Sequence, residues 1–378
     1  MLSSHAAPRV TARAEHICAR VERHLRRYPA AVQTAVRAAA RLHPHVADLA
    51  VSFPALLFAV ATTRRGADRV RLIAAIVEGE PLARVATLAG IPLWLRKLPP
   101  EAFVQPIRQL PDGALFRRQI ANHLPASVKL SPVWLDAVSR AALWCHEGLA
   151  VWFARELTRN PKRARKLDCF NAIVLWAWYS AHVPADASFV ERPWHPAMRF
   201  EAARAAADEW RMRVALHLNI GTAPIADMWL QPAIVGGFEF APLDTAQAIA
   251  DEAAAMNNCL CRYGPELAHN CSRLWGIRKD GAHVADVSVV TCGDDPLPSV
   301  GELRLSNNKE APVELWILAR AWLNGHDLRQ VDMKQHEWNT APLDAALWRS
   351  FWRPYWLAKR CFPSWLPLAP SRPALKAL

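Results

Sequence analysis

The chain has 378 residues, of which 52% are hydrophobic and 21% charged, and its formal net charge at pH 7 is +12. This hydrophobic content excludes a generally disordered protein, and the length exceeds what one ordinary core accommodates, so we expect two domains. The longest apolar run, Leu49 to Thr63, contains Pro54 and is shorter than the roughly 20 residues of a membrane-spanning helix. The charge favours an acidic partner such as nucleic acid, although a basic surface can also serve solubility alone.

The eight cysteines are scattered and include no C-x-x-C pair, which excludes the spacing of a zinc ribbon. The amino-terminal stretch, MLSSHAAPRVTARAEH, lacks the apolar core of a signal peptide. We therefore expect reduced thiols in a cytoplasmic protein. The pattern indicates neither a metal site nor a cofactor, and the seventeen tryptophans are too many for one site, so most must be structural.

Residues 1–235 are expected to form a large, basic, Trp-rich helical domain. Ile17, Val21 and Leu25 recur every four residues, which predicts a helix with one apolar face and an otherwise basic surface. This surface is either a solvated face or a nucleic-acid contact. The candidate contacts here are Arg23, Arg26 and Arg27.

The densest basic segment is RELTRNPKRARK, from Arg155 to Lys166, and Asn160-Pro161 predicts a helix break within it. The segment is either a solvated connection or a phosphate-binding loop. Its candidate nucleic-acid contacts are Lys162, Arg163, Arg165 and Lys166. A nearly all-apolar segment with Trp176 and Trp178 follows, and it predicts a helix central to a helical core.

We place the domain boundary between residues 235 and 236, within a stretch that carries three Gly and three Pro between residues 220 and 242. The apolar pieces of this stretch, Met228 to Leu230 and Ile234 to Phe240, predict one or two short strands or an extended linker.

Residues 236–330 are expected to form a small α+β unit. Asp280-Gly281 predicts a tight turn between two strands, and the alternation from Val284 to Thr291 gives the second strand one polar face. A third strand is predicted from Val300 to Leu305, and Pro312 then begins a helix. The predicted fold class is therefore α+β: a large all-α domain followed by a small domain with a three-stranded antiparallel sheet packed by helices.

Small polar and reactive side chains concentrate between residues 252 and 308. Intervals of four, three and four residues predict that four of them share one helical face. These four residues are Glu252, Met256, Cys259 and Tyr263. The structural interpretation is a helix that packs on the sheet, with Tyr263 at its edge. The functional interpretation has Asn258, Cys259 and Asn308 converging, with Cys259 as the catalytic group and Tyr263 and Glu252 supporting it.

The motif E-x-x-x-M-x-N-C-L-x-x-Y, followed by the hairpin and by Glu302 to Asn308 ahead of the Pro-started helix, resembles the signature of the PcfJ-like proteins. That family has E-x-x-x-M-x-H-C-v-x-x-Y and later Q-x-x-g-x-x-N, and the resemblance covers roughly residues 240–325. This chain departs from the pattern at Asn258, where the family has His, and at Glu302, where it has Gln. PcfJ-like proteins occur on plasmids, phages and other mobile elements. The resemblance implies an accessory role there, without a defined reaction.

The replacement of the motif His by Asn258 removes the obvious base for Cys259, because a thiolate at neutral pH needs a nearby base or cation. His269 and His283 are the nearest candidates in the sequence. A helix would direct the sulfurs of Cys259 and Cys261 apart, which argues against a metal site.

Residues 331–378 are expected to form a basic, aromatic tail. Aromatic residues recur in it at helical spacing among basic ones, which suits docking on a core, stacking on nucleic-acid bases or lying at a membrane surface. The aromatic residues are Trp348, Phe351, Trp352, Tyr355 and Trp356. The candidate nucleic-acid contacts in this segment are two arginines that lie between them, Arg349 and Arg353.

The leading functional prediction is an accessory protein of a mobile genetic element that binds DNA, RNA or other proteins of the element. The alternative is an enzyme centred on Cys259, with an undefined reaction. A purely structural or protein-interaction module is the third class.

Overall fold

The structure is a computed structural model that describes residues 18–63, 66–108, 110–165, 167–291, 297–331, 345–365 and 368. The chain divides into two compact units. The first comprises Met1–Phe170 and His195–Phe200, and the second comprises Asn171–Trp194 and Glu201–Leu378. The second unit thus begins well before residue 235, where we predicted the boundary, and it includes the described part of the predicted tail.

The described residues of the first unit form helices, turns and loops only. Its α-helices are α1 (Ala19–Leu25), α2 (Ala30–Ala40), α3 (Pro44–Ser52), α4 (Pro54–Thr62), α5 (Gly66–Val77), α6 (Leu82–Leu88), α7 (Ala114–Ala121), α8 (Ser131–Trp144) and α9 (Glu147–Arg159). Short 3₁₀ helices span Leu93–Lys97, Pro100–Ala102, Val128–Leu130 and Pro161–Arg165. Among the described residues, no helix combines the length and the apolar character that crossing a membrane requires.

The apolar run from Leu49 to Thr63 shows how proline shapes the first unit. Most of it is buried, and Pro54 divides it between α3 and α4 because proline suits the first turn of a new helix. Leu56 and Phe58 of α4 are fully buried, as expected for a helix that is apolar on all sides.

Helix α10 (Leu167–His182) contains the division between the units. The later α-helices are α11 (Ala185–Ser188), α12 (Phe200–Ile220), α13 (Ala246–Met256), α14 (Gly264–Ala268), α15 (Val313–Asn324) and α16 (Ala345–Lys359). Its 3₁₀ helices are Leu260–Tyr263, Ser306–Asn308 and Leu328–Gln330. Its strands are β1 (Ala233–Val235), β2 (Phe238–Pro242), β3 (Ser272–Lys279), β4 (Ala282–Thr291), β5 (Pro298–Leu305) and β6 (Lys309–Glu310).

The α+β class and the antiparallel sheet of the carboxy-terminal part are confirmed, but the prediction of three strands is wrong. Antiparallel strands follow one another in chain order in a six-stranded sheet, whose last strand has only two residues. β1 and β2 are joined by Gly236 and Gly237, which both have positive φ, as a tight hairpin turn requires. These strands are so short that periodicity alone did not distinguish them from a linker.

The two faces of the sheet pack against different helices. Trp275, Val287 and Leu303 are neighbours on β3, β4 and β5, and they pack with Trp322 of α15. On the opposite face, Leu274 packs with apolar residues of α13. The polar residues of β4 lie on this second face, so the predicted polar strand face is buried beneath a helix rather than exposed to solvent.

Helix α16 packs into the core of the second unit, as one of the three interpretations of the tail proposed. The ring of Phe351 stacks on Tyr179 with centroids 4.5 Å apart, and the Tyr179 hydroxyl donates to the Phe351 carbonyl oxygen at 2.6 Å. Trp352 and Tyr355 are fully buried. These aromatic rings are therefore unavailable for stacking on nucleic-acid bases.

Candidate functional site

Helix α13 ends at Met256, so the prediction of one continuous helix from Glu252 through Tyr263 is wrong. Asn257 adopts the left-handed conformation (φ 47°), which terminates the helix, and asparagine tolerates that conformation better than most residues. Cys259 lies beyond this break and precedes the 3₁₀ turn that carries Tyr263. Glu252 and Met256 are buried on α13, each 2% exposed.

Two side-chain hydrogen bonds join the segment that follows α13 to the end of β5. The Asn257 amide donates to Asn307 Oδ1 at 2.5 Å, and the Cys259 thiol donates to Asn308 Oδ1 at 3.3 Å. Asn307 and Asn308 both have positive φ, which turns the chain sharply after β5. Cys259 and Asn308 thus converge as the functional interpretation expected.

Cys259 and Asn308 lie at the rim of a small cleft between the segment after α13 and strands β4 and β5. Its lining residues are Asn258, Cys259, Leu260, Tyr263, Asp286, Ser288, Glu302, Arg304 and Asn308. The water-accessible volume is about 20 Å³, which is room for one water molecule or the tip of a side chain. Four of the predicted motif residues therefore share one cleft with Asn308, whereas Glu252 and Met256 lie outside it.

A closed chain of hydrogen bonds forms the floor of this cleft. The backbone N–H of Glu302 donates to Ser288 Oγ at 2.8 Å, and the Tyr263 hydroxyl hydrogen-bonds both the Ser288 hydroxyl and the Glu302 carboxylate. Burial raises the pKa of Tyr263, and the charge of Glu302 raises it further. The phenol is consequently a neutral hydrogen-bonding group at neutral pH.

Asp286, which lines the cleft, and Glu252, which lies outside it, form a buried carboxyl pair. Asp286 is 3% exposed, and its Oδ2 accepts a hydrogen bond from the Asn258 amide. Burial, followed by the charge of Glu252, raises the pKa of Asp286 to about 8. Glu252 also hydrogen-bonds Arg278 (3.2 Å) and His283 Nδ1 (2.6 Å).

The two histidines considered as bases for Cys259 occupy other positions. His283 bonds to Glu252, and His269 is 4% exposed. Within the described ranges, the hydrogen bond of the Cys259 side chain is the one to Asn308, and no imidazole bonds to the thiol. Sequence reasoning missed the pairing of Asp286 with Glu252, although an aspartate on a strand rich in valine was a signal for a buried polar partner.

A second cluster of chemical interest lies at the end of α9 in the first unit. We call it the basic cluster: Arg155, Arg159, Lys162 and Arg163. Its three arginines lie within 3.3 Å of the Glu156 carboxylate, which is 2% exposed and also accepts from the Phe200 N–H. Arg163 is therefore an internal ion-pair partner, whereas Lys162 is exposed, and the side chains of Arg165 and Lys166 lie outside the described residues.

The other candidate nucleic-acid contacts are exposed to different degrees. Arg23 is exposed on α1, Arg26 pairs with Glu22 at 3.2 Å, and Arg27 pairs with Glu101 at 2.8 Å. Arg349 and Arg353 are exposed on α16. Exposed pairs such as Arg26–Glu22 contribute little to stability, so those arginines can exchange partners readily.

Comparisons of this chain with protein-family models, with curated proteins and with solved structures gave no match.

Proposed function

We propose that this protein is an accessory protein of a mobile genetic element and that it binds nucleic acid through the basic cluster. The mobile-element role rests on the resemblance to PcfJ-like proteins. The nucleic-acid role rests mainly on one observation, that a single buried carboxylate is shared by three arginines.

The basic cluster has more positive charge than its internal partner can neutralise. Glu156 offsets one guanidinium, while Arg159 has a side chain that is 65% exposed and Lys162 is exposed beside it. The excess positive charge also affects His123. Its pKa is lowered first by burial and then by the charges of Arg155 and Arg159. Exposed guanidinium and ammonium groups at such a position are suited to contact phosphates.

Binding of fluorescently labelled single-stranded and double-stranded DNA and RNA, measured by anisotropy over a range of salt concentrations, tests this proposal. Each phosphate contact contributes to the slope of log Kobs against log salt. The double variant Arg159→Gln/Lys162→Gln should reduce the magnitude of that slope by about 1.4 to 1.8, because about 0.7 to 0.9 is lost for each contact.

The matched control is Arg192→Gln/Arg204→Gln, which removes the same charge from the exposed Arg192, paired with Glu209, and the half-buried Arg204, paired with Glu201. The control should keep the wild-type slope. Equal loss in both variants would reduce the effect to net charge and contradict a specific interface. Retention on nucleic acid no better than that of a neutral protein at moderate salt would reject nucleic-acid binding altogether.

The enzyme centred on Cys259 is the second candidate function, because the thiol shares one cleft with Tyr263, Glu302 and Asn308. In such an enzyme Glu302 would be the carboxylate available to accept the thiol proton. A thiol-reactive probe should then label Cys259 faster than the exposed Cys18 and Cys361. Labelling of Cys259 at or below their rate argues against catalysis and leaves a binding role for the cleft.

A further inference from the structure

Strand β5 is covered along only part of its outer edge. The two-residue strand β6 pairs with Arg304 and Leu305 alone. Residues 300–303 are joined to β4 on one side, and on the other side they have no strand partner within the described part of the chain. Gly301 is exposed, and because glycine has no side chain, the exposed atoms are those of the backbone. This part of β5 therefore presents backbone N–H and C=O groups to which a further strand can bind.

A groove follows this open edge. It is lined by residues 301–304 of β5 and by Glu310, Ala311 and Trp316. Successive side chains of a strand point to opposite faces, so a space lined by consecutive residues lies beside the edge of the strand. The water-accessible volume of the groove is about 310 Å³, whereas that of the neighbouring cleft is about 20 Å³. The groove thus has room for whole side chains of a bound segment.

The charged side chains that border the groove give it an acidic character. Glu302 and Arg304 lie 3.7 Å apart and largely compensate one another. Glu310 is exposed, and in the described ranges it has no ion-pair partner. Ala311 and the half-buried Trp316 supply apolar surface beside it. A segment with a basic side chain next to an apolar one complements this arrangement, whereas a phosphate would be repelled.

Two copies of this edge are poorly suited to pair with each other. A twofold axis between them would bring the acidic groups of one edge, Glu302 and Glu310, close to the same groups of the other. Like charges on neighbouring strands destabilise the pairing. The register of β4 and β5 also shifts after Val287, which increases the local twist of β5 and disfavours a long, flat partner strand. A short segment of another protein meets neither obstacle.

We propose that the open edge of β5 binds a short, extended, basic peptide segment of another protein, which adds a strand to the sheet. Backbone hydrogen bonds to residues 300–303 supply affinity, and the groove selects a lysine or arginine near Glu310 and an apolar side chain at Trp316. This site lies in the second unit. It depends neither on nucleic-acid binding by the basic cluster nor on a reaction at Cys259.

Selection from a phage-displayed library of random linear peptides on the folded, full-length chain tests the proposal. Enriched peptides should alternate apolar and polar residues and contain lysine or arginine. Failure to enrich any peptide over an uncoated surface would overturn the proposal, and so would enriched peptides without basic residues.

Hydrogen–deuterium exchange with the most enriched peptide, made synthetically, locates the binding site. Amides of residues 300–303 should exchange more slowly when the peptide is bound, while those of β1, at the other edge of the sheet, should not change. Slower exchange at β1 or in the first unit instead would refute this site. A peptide with the same side chains but with every backbone nitrogen methylated cannot donate hydrogen bonds and should not bind. Equal binding of the methylated peptide would refute strand addition.

Charge reversal at the groove tests the basic character of the partner. Glu310→Lys should weaken binding of the selected peptide by about threefold or more, because repulsion replaces attraction at an exposed site. Glu239→Lys is the matched control, since it makes the same change at an exposed residue of β2, and it should alter binding by less than about twofold. Equal weakening in both variants would reduce the effect to net charge and contradict the proposal. A dimer in solution that the peptide dissociates would assign the edge to a second copy of the chain instead.

Discussion

At the scale of single residues, the raised pKa of Asp286 has a direct thermodynamic consequence. The pKa of Asp286 is raised from 3.8 to about 8 in the folded protein, so the folded state binds the proton more tightly than the unfolded state. Its contribution to stability is fully present below pH 3.8 and is lost as pH rises towards 8. The difference in the free energy of unfolding between wild type and Asp286→Asn should therefore fall with rising pH, by at most about 1.4 kcal/mol per pH unit.

Urea unfolding of both proteins at pH 5, 6, 7 and 8 measures this difference, since the remaining titrating groups are common to both. The opposite sign, with wild type gaining relative stability as pH rises, would mean that Asp286 is ionised in the fold. A constant difference would mean that the carboxyl does not titrate in this range.

Individual residues of the cleft could be predicted only as members of a motif. The motif predicted that Asn258, Cys259 and Asn308 converge, but it placed the first two within a continuous helix rather than beyond the end of α13. The partner of Glu252 was not predictable from spacing, since Asp286 approaches it only after β4 pairs with β3 and α13 covers both. Likewise, nothing in the basic run distinguished Arg163, which faces inwards to Glu156, from the exposed Lys162.

At the scale of secondary-structure elements, helix α13 depends on Thr245, the N-cap residue immediately before it. The Thr245 hydroxyl accepts a hydrogen bond from the Ala248 N–H at 3.0 Å and so caps the helix whose far end forms the cleft. Thr245→Ala should lower the free energy of unfolding by about 1 kcal/mol. Chemical denaturation of the full chain measures this loss.

Thr87→Ala is the control for that substitution, because Thr87 is exposed within α6 and its hydroxyl donates to the Ala83 carbonyl of the preceding turn. It should change stability by no more than about 0.5 kcal/mol. If both substitutions have the same small effect, the Thr245 cap does not stabilise α13.

Elements with strong local signals were predicted well. Asp280-Gly281 marked the hairpin between β3 and β4, and Pro312 marked the residue before α15. The helix through Tyr263 was mispredicted because helical spacing persisted across Asn257, where backbone conformation ends the helix regardless of side-chain periodicity. The pair Gly236-Gly237 carried the signal for β1 and β2, but each strand alone is too short to show a reliable alternation.

At the scale of the whole molecule, the excess positive charge lies in the first unit, because acidic residues outnumber basic ones in the second. Helix α16 of the second unit nevertheless contains no acidic residue, and we expect it to supply further phosphate contacts. Arg349 and Arg353 are exposed and have no ion-pair partner among the residues that the structure describes. Arg349→Gln/Arg353→Gln should reduce the salt slope of nucleic-acid binding by about 1.4 to 1.8.

The stability of that variant should stay within about 0.5 kcal/mol per substitution of the wild type, because both side chains point away from the aromatic core around Tyr179. An unchanged salt slope would restrict the interface to the first unit. A large loss of stability would show that these arginines support the fold.

The order of strands in the sheet also bears on self-association. The sheet has two edges: β1, with three residues, forms one, and at the other β6, with two, pairs only with Arg304 and Leu305 of β5. The β1 edge presents too few backbone N–H and C=O groups to template a strand from another molecule, a protection that natural sheets commonly use against aggregation. The exposed side chain of Ile234 on β1 consequently sits on an edge that is too short to propagate intermolecular pairing.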